Sequence, residues 1–202
     1  APVLTSTLLQ AMDMGMQLYF TSREDYRHKI VPGIIDLTAA QLVPEGGYGP
    51  AGAKGASTML DFVNPDAYTH ICCAVGSGTM MAGLLNRCGK RTTVIGISAM
   101  KNNHTLESAV KELLDNPVPE PIIMHDYHFG GFARHNNTLL EFMNTLYSQT
   151  GIPTDIVYTG KLCFAVNELA RKNYFPPGSK ILLIHSGGLQ GNRSLQKGSL
   201  IF

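Results

Sequence analysis

Two apolar runs that end in glycine constrain this chain more than any other feature. One is Thr69-His-Ile-Cys-Cys-Ala-Val-Gly-Ser-Gly-Thr-Met-Met-Ala-Gly83; the other is Lys180-Ile-Leu-Leu-Ile-His-Ser-Gly-Gly-Leu-Gln-Gly191. An apolar strand that ends in small residues brings bare backbone up to something that needs close approach. After the first run the glycines lead directly into a helix-like segment. A strand, a Gly/Ser/Thr loop and a helix N-terminus together form an anion cradle, with free backbone N–H groups and a favourable dipole. Two such ends in one parallel sheet place a phosphorylated ligand along its carboxyl edge. The chain reads as built around a cofactor.

Its 202 residues, 44% of them hydrophobic, suffice for one domain or one and a half. A net charge of +1 with 15% charged residues leaves no basic stripe, which argues against nucleic acid as a partner. No apolar stretch reaches the length of a membrane span, and the opening Ala-Pro-Val-Leu-Thr lacks a basic-then-apolar signal pattern. Cys72 and Cys73 are adjacent, while Cys88 and Cys163 stand alone. That spacing is neither a metal site nor a disulfide framework and reads as reduced thiols, consistent with a cytoplasmic protein. His70, His125 and His128 flank strands without a ligand-like arrangement, so no metal is expected.

Helical and strand patterns alternate, which predicts an α/β fold with a mostly parallel sheet and flanking helices. Helices are expected over 7–14, over 22–29 with Ser22 as cap, from the glycine-rich bend at 45–55 to Phe62, in the run that follows Gly78, and over 105–114, 137–147 and 160–172. Strands are expected over 16–21, 42–44, 69–75, 94–99, 122–127 and from 180 onward. Pro176-Pro-Gly-Ser179 is the turn before the last strand. The chain opens on a helix with no strand before it, although βαβ units begin on one. Either an irregular N-terminus replaces that strand, or the chain is part of a longer protein. Apolar Leu4, Leu8, Leu9 and Met12 on that first helix would need covering, which points to a homo-oligomer.

Four segments in order carry a resemblance: Val75-Gly-Ser-Gly-Thr-Met-Met-Ala-Gly83, Asp126-Tyr-His-Phe-Gly-Gly131, Ile156-Val-Tyr-Thr-Gly-Lys161 and Ile184-His-Ser-Gly-Gly-Leu-Gln-Gly191. Together they resemble the 1-aminocyclopropane-1-carboxylate deaminase and D-cysteine desulfhydrase family, pyridoxal-phosphate enzymes of the tryptophan-synthase-β type. The resemblance covers essentially the whole chain. It implies pyridoxal phosphate as cofactor and a small amino acid as substrate. It further implies a remnant of the smaller domain over 1–40 and the large cofactor-binding domain over 41–202.

By the same resemblance Gly76, Ser77, Gly78, Thr79 and Met80 would hold the cofactor phosphate. Tyr158 would stand beside the substrate and handle a proton or thiol. Thr159, Ser186 and Gly187 would lie along the pyridine ring. Deaminases of the cyclopropane substrate carry a glutamate at the position of Thr159 and a leucine at that of Ser186. A threonine offers only a neutral hydrogen bond where a carboxylate would keep the pyridine nitrogen protonated. Both departures favour the desulfhydrase branch, in which D-cysteine is converted to pyruvate, ammonia and sulfide.

The family's Schiff-base lysine motif does not occur in these residues. Lys54 and Lys161 sit beside glycines and read as solvated side chains, so no covalent attachment of cofactor is expected and the chain alone is expected to be inactive. A non-catalytic binding or assembly module is the reading of another class. Gly76-x-Gly78 could instead open a nicotinamide-binding fold, but the strand that follows ends with no Asp or Glu for a ribose. His185, within an apolar strand, reads as a core histidine. Phe132 occupies a place where relatives often have tyrosine. No Gly-x-Ser-x-Gly elbow supports a serine hydrolase.

Overall fold

The computed structural model describes residues 4–116 and 121–202. The chain divides into two units, Ala1–Val43 and Pro44–Phe202.

In the first unit, α1 (Ser6–Asp13) starts at Thr5, whose side chain accepts from the Leu8 N–H at 3.3 Å. The second helix, α2 (Arg23–Arg27), is capped by Ser22, which accepts from the Asp25 N–H at 3.0 Å. Glu24 and Asp25 in its first turn and Arg27 in its last complement the helix dipole. Neither helix buries a residue. The expected strand over 16–21 is not formed. Its residues alternate correctly but pair with no neighbour, and an unpaired strand leaves its backbone to solvent; Met16 and Phe20 are 62% and 58% exposed. Residues 42–44 are not a strand either: Pro44 instead caps the 3-10 turn Glu45–Gly47 and has no N–H to give a ladder.

The second unit holds the sheet. Helix α3 (Pro50–Ser57) has proline at its first position and tightens into a 3-10 turn, Thr58–Phe62. There follow β1 (His70–Val75), α4 (Thr79–Arg87), β2 (Thr93–Ser98), α5 (Leu106–Lys111) and β3 (Ile122–Met124). The chain continues through α6 (Asn137–Thr150), α7 (Thr159–Arg171) and β4 (Ile181–Leu183). All pairings are parallel, in the order β3-β2-β1-β4, with Cys72 opposite Ile95 on one side and Leu183 on the other.

The two faces of β1 bury alternate residues, because strand side chains point to opposite sides. Ile71, Cys73 and Val75 pack with Met81 and Leu84 of α4, Ala53 of α3 and Val110 of α5. Cys72 and Ala74 pack with Ile95 and Ile97 of β2 and with Leu162, Ala165 and Leu169 of α7. The adjacent cysteines thus serve opposite cores as free, buried thiols. Burial pushes the Cys72 thiol up to about 12. A third cluster joins Leu139 and Met143 of α6 to Ile156 and Val157. Helices α3 and α4 cross closely at Gly83, where a Cβ would fall within 2.9 Å of Ala56 and Ser57. Among the described residues no helix is long and apolar enough to cross a membrane.

Candidate active site

The strand order turns back at β1. Strands β2 and β3 lie on one side of it and β4 on the other. In an open parallel sheet the crevice at such a reversal, outside the carboxyl ends, is where ligands bind. Here the loop after β1 and the loop after β4 both open into one cleft of about 190 Å³. The loop side is Gly76, Ser77, Gly78, Thr79 and Met80; Tyr158 and Ser186 close the other side. Seven of the nine site residues taken from the sequence therefore meet in one place.

Gly78 begins α4 in the left-handed conformation, φ +91°, and no side chain caps the helix. The first amides of α4 have no carbonyl before them to bond. Ser77 Oγ and Thr79 Oγ1 lie 2.8 Å apart, and the Thr79 N–H approaches Ser77 Oγ only at 3.5 Å. Among the described residues no carboxylate lines the cleft. Bare amides at a helix start and two hydroxyls fit a phosphate group. Gly76 leaves room for the Tyr158 ring, since a Cβ there would come within 3.2 Å of the phenol oxygen. A Cβ at Gly46 would likewise fall 2.7 Å from Ser77 Oγ.

Tyr158 is half-buried at the start of α7, with its ring edge-on to Phe132 at 6.0 Å. Burial, and after it the charges of Asp155 and Glu45, push its phenol above the ordinary tyrosine value. What fixes Tyr158 is a residue the sequence reading passed over. Asp155 is fully buried; Oδ1 accepts from the N–H groups of Val157 and Tyr158, and Oδ2 accepts from the Thr159 N–H and hydroxyl. An aspartate just ahead of a helix is a capping signal and could have been read as one.

Thr159 does not line the cleft, which corrects its expected place along the ring. It is fully buried, and its hydroxyl is spent on Asp155 while accepting from the Asp155 N–H. Gly187 lies beyond the cleft lining in the turn after Ser186, at φ +85°. His185 is exposed rather than in the core. Its Nδ1 accepts from the Gly187 N–H at 3.3 Å, so Nε2 carries the proton and donates to the Pro153 carbonyl at 2.8 Å. It shapes the turn that presents Ser186.

Lys161 also departs from its reading. It lies in the first turn of α7, only 1% exposed, while Lys54 is exposed on α3 as expected. Lys161 Nζ donates to the Gly131 carbonyl at 2.7 Å and reaches the Ala99 carbonyl at 3.5 Å. Burial pulls this amine down to about 8, against the pull of Asp155 in the other direction. Away from the cleft, His125 Nε2 meets Glu107 Oε1 at 2.7 Å. Among the described residues no group of three ligand-type side chains could hold a metal ion.

No family model matches the chain. A protein of Pyrococcus furiosus provisionally named 1-aminocyclopropane-1-carboxylate deaminase is 29% identical over 167 residues, covering 74% of this chain and 50% of that protein. A similarly named protein of Thermotoga maritima is 28% identical over 214 residues, covering 94% and 67%. The 1-aminocyclopropane-1-carboxylate deaminase of Rhizobium radiobacter is 30% identical over 135 residues, covering 60% and 40%. The crystal structure of an ACC deaminase homologue superposes with a TM-score of 0.74 at 26% identity, over 92% of this chain and 62% of that one. The chain spans about half the length of the first of these relatives.

Proposed function

From the homology of this chain with proteins named 1-aminocyclopropane-1-carboxylate deaminase, we propose that it forms the cofactor-cradling part of a pyridoxal-phosphate-dependent enzyme acting on a small amino acid. The observation that carries this is the meeting of the Gly76–Met80 loop, Tyr158 and Ser186 in one cleft at the sheet's turning point. Bound there, pyridoxal phosphate would supply an electron sink for charge that develops on the substrate's α-carbon.

The chain's own residues have separable tasks. The amides that open α4, with Ser77 and Thr79, hold the phosphate and fix the ligand's depth in the cleft. Ser186, across from the loop, offers a hydroxyl to a polar edge. Tyr158 lines the cleft with its phenol, a proton donor that can serve a leaving thiolate or alkyl carbon. Asp155 holds that tyrosine's backbone without entering the cleft.

Among substrates the reading favours β-elimination from D-cysteine. The hydroxyl of Ser186 lines the cleft, where the resemblance gives leucine to deaminases of the cyclopropane substrate. Ring-opening deamination is the second reading, favoured by the names that the relatives carry. A titration with pyridoxal phosphate, followed by absorbance and competed with inorganic phosphate, tests the cradle. Competition is expected, with resonances of Gly76–Met80 moving; binding that phosphate does not displace would overturn it. Sulfide release from D-cysteine set against ammonia release from the cyclopropane substrate, in the enzyme spanning the relatives' full length, decides the branch. Replacing Ser186 with Leu should move the ratio toward the cyclopropane. Replacing Thr159 with Glu is a poor test, because it would bury a second carboxylate against Asp155.

A further inference from the structure

We propose that Lys161 is a positioning residue that sets the Tyr158 wall of the cleft by clamping the loop bearing Phe132. The proposal rests on the reading of Tyr158 as the cleft's phenol. Lys161 extends from the first turn of α7, three residues after Tyr158, and its ammonium is inside the protein. A buried charge is tolerable only when its donors are matched. The matches here are two carbonyls from different loops: Ala99, at the end of β2, and Gly131, in the loop after β3.

Gly130 and Gly131 have φ of +97° and +122°, and the residue after them is Phe132. The backbone there turns its Gly131 carbonyl to the lysine and its next side chain to the ring of Tyr158. Tyr158, α7, Lys161, Gly131 and Phe132 thus close a circuit. The phenol is held on one side by the Asp155 cap and on the other by the clamped loop. Without the ammonium, the Gly131 carbonyl keeps a bond within its own loop, from the Arg134 N–H at 3.1 Å, but its tie to α7 is lost, and two glycines give the loop freedom to move away. Lys161 touches no residue that lines the cleft through a bond of its own, so it acts through Phe132 and Tyr158.

The test needs no cofactor, so its failure is separate from any failure of the cofactor reading. Tyrosine is labelled at its ring carbon, the Tyr158 signal is assigned with Y158F, and ring contacts and titration are followed by NMR in wild type, K161M and K161Q. In folded K161M the Phe132–Tyr158 contact is expected to be lost and the Tyr158 titration to fall toward the ordinary tyrosine range. K161Q, which keeps a donor, should restore part of the contact. Tyr48, bonded to Ala109 and Glu112 elsewhere, should not change. A folded K161M with the contact and titration intact overturns the proposal. So does an equal shift at Tyr48, or the collapse of both variants, since either makes Lys161 a general support of the core.

Discussion

Replacing Asp155 with alanine strands the N–H groups of Val157, Tyr158 and Thr159 and the Thr159 hydroxyl in a buried place. Each bond to a charged acceptor is worth more than a neutral one, so the variant should lose about 3 kcal/mol or more in urea unfolding. Asp155→Asn, which keeps an acceptor, should lose less. An alanine at Gly78 meets a different obstacle. Its φ is +91°, and the new Cβ would lie 2.9 Å from Val110 Cγ2. The cost should be about 1–2 kcal/mol, with weaker phosphate binding in a competition titration. The glycine's turn into the helix was legible, because a Gly-Ser-Gly between strand and helix marks backbone that only glycine adopts freely. Asp155 carries a local capping signal, but the burial of Lys161 has none: a lone charged side chain carries no mark of burial until the fold supplies its partners.

Among the elements, the N-terminus of α4 makes the most direct prediction. If its amides and the Ser77 and Thr79 hydroxyls bind phosphate, Ser77→Ala and Thr79→Ala should each weaken inorganic phosphate binding by about fivefold, one neutral hydrogen bond's worth. Isothermal titration would measure this, and unchanged affinity in both would move the anion elsewhere. The strands that were read correctly, β1 and β2, are apolar on both faces because helices cover both. The segment over 16–21 has the alternation of a strand but no partner among its neighbours. Alternation records which side chains could share a face and says nothing about whether a second strand is present to pair with them.

The whole molecule adds two expectations. Lys161 titrates near 8 when folded and at its ordinary value, 10.5, when unfolded. Below about 8 both states hold the proton and the folded state bears the full cost of a buried charge. Between about 8 and 10.5 the unfolded chain holds a proton that the folded chain has released, so this group's contribution to stability rises with pH. The stability difference between wild type and K161M should therefore grow in favour of wild type across that window in urea melts. Taking the difference removes the raised thiols, which act in the opposite direction above their ordinary value of 9.0. Separately, exposed apolar residues crowd the unit Ala1–Val43: Met14 at 79%, Ile34 at 76% and Val43 at 73% among them. Patches of this kind seldom stay bare on soluble monomers. Light scattering should show mass rising with concentration, and a strictly monomeric chain at high concentration would refute it.

The sequence alone determined the α/β class, the parallel strands and the glycine loop that joins β1 to α4, because each is written in neighbouring residues. Apolar runs, caps and glycines act over a few positions, and a chain shows those directly. Only the tertiary structure decided which loops share a cleft. The strand order that sets β4 beside β1 brings Ser186 to Gly76 across more than a hundred residues. It also decided that Lys161 is inside and that Thr159 belongs to Asp155 rather than to the cleft. Burial and hydrogen-bond partnership are properties of what surrounds a residue, and for these three the surroundings come from distant segments or from the pitch of a helix start.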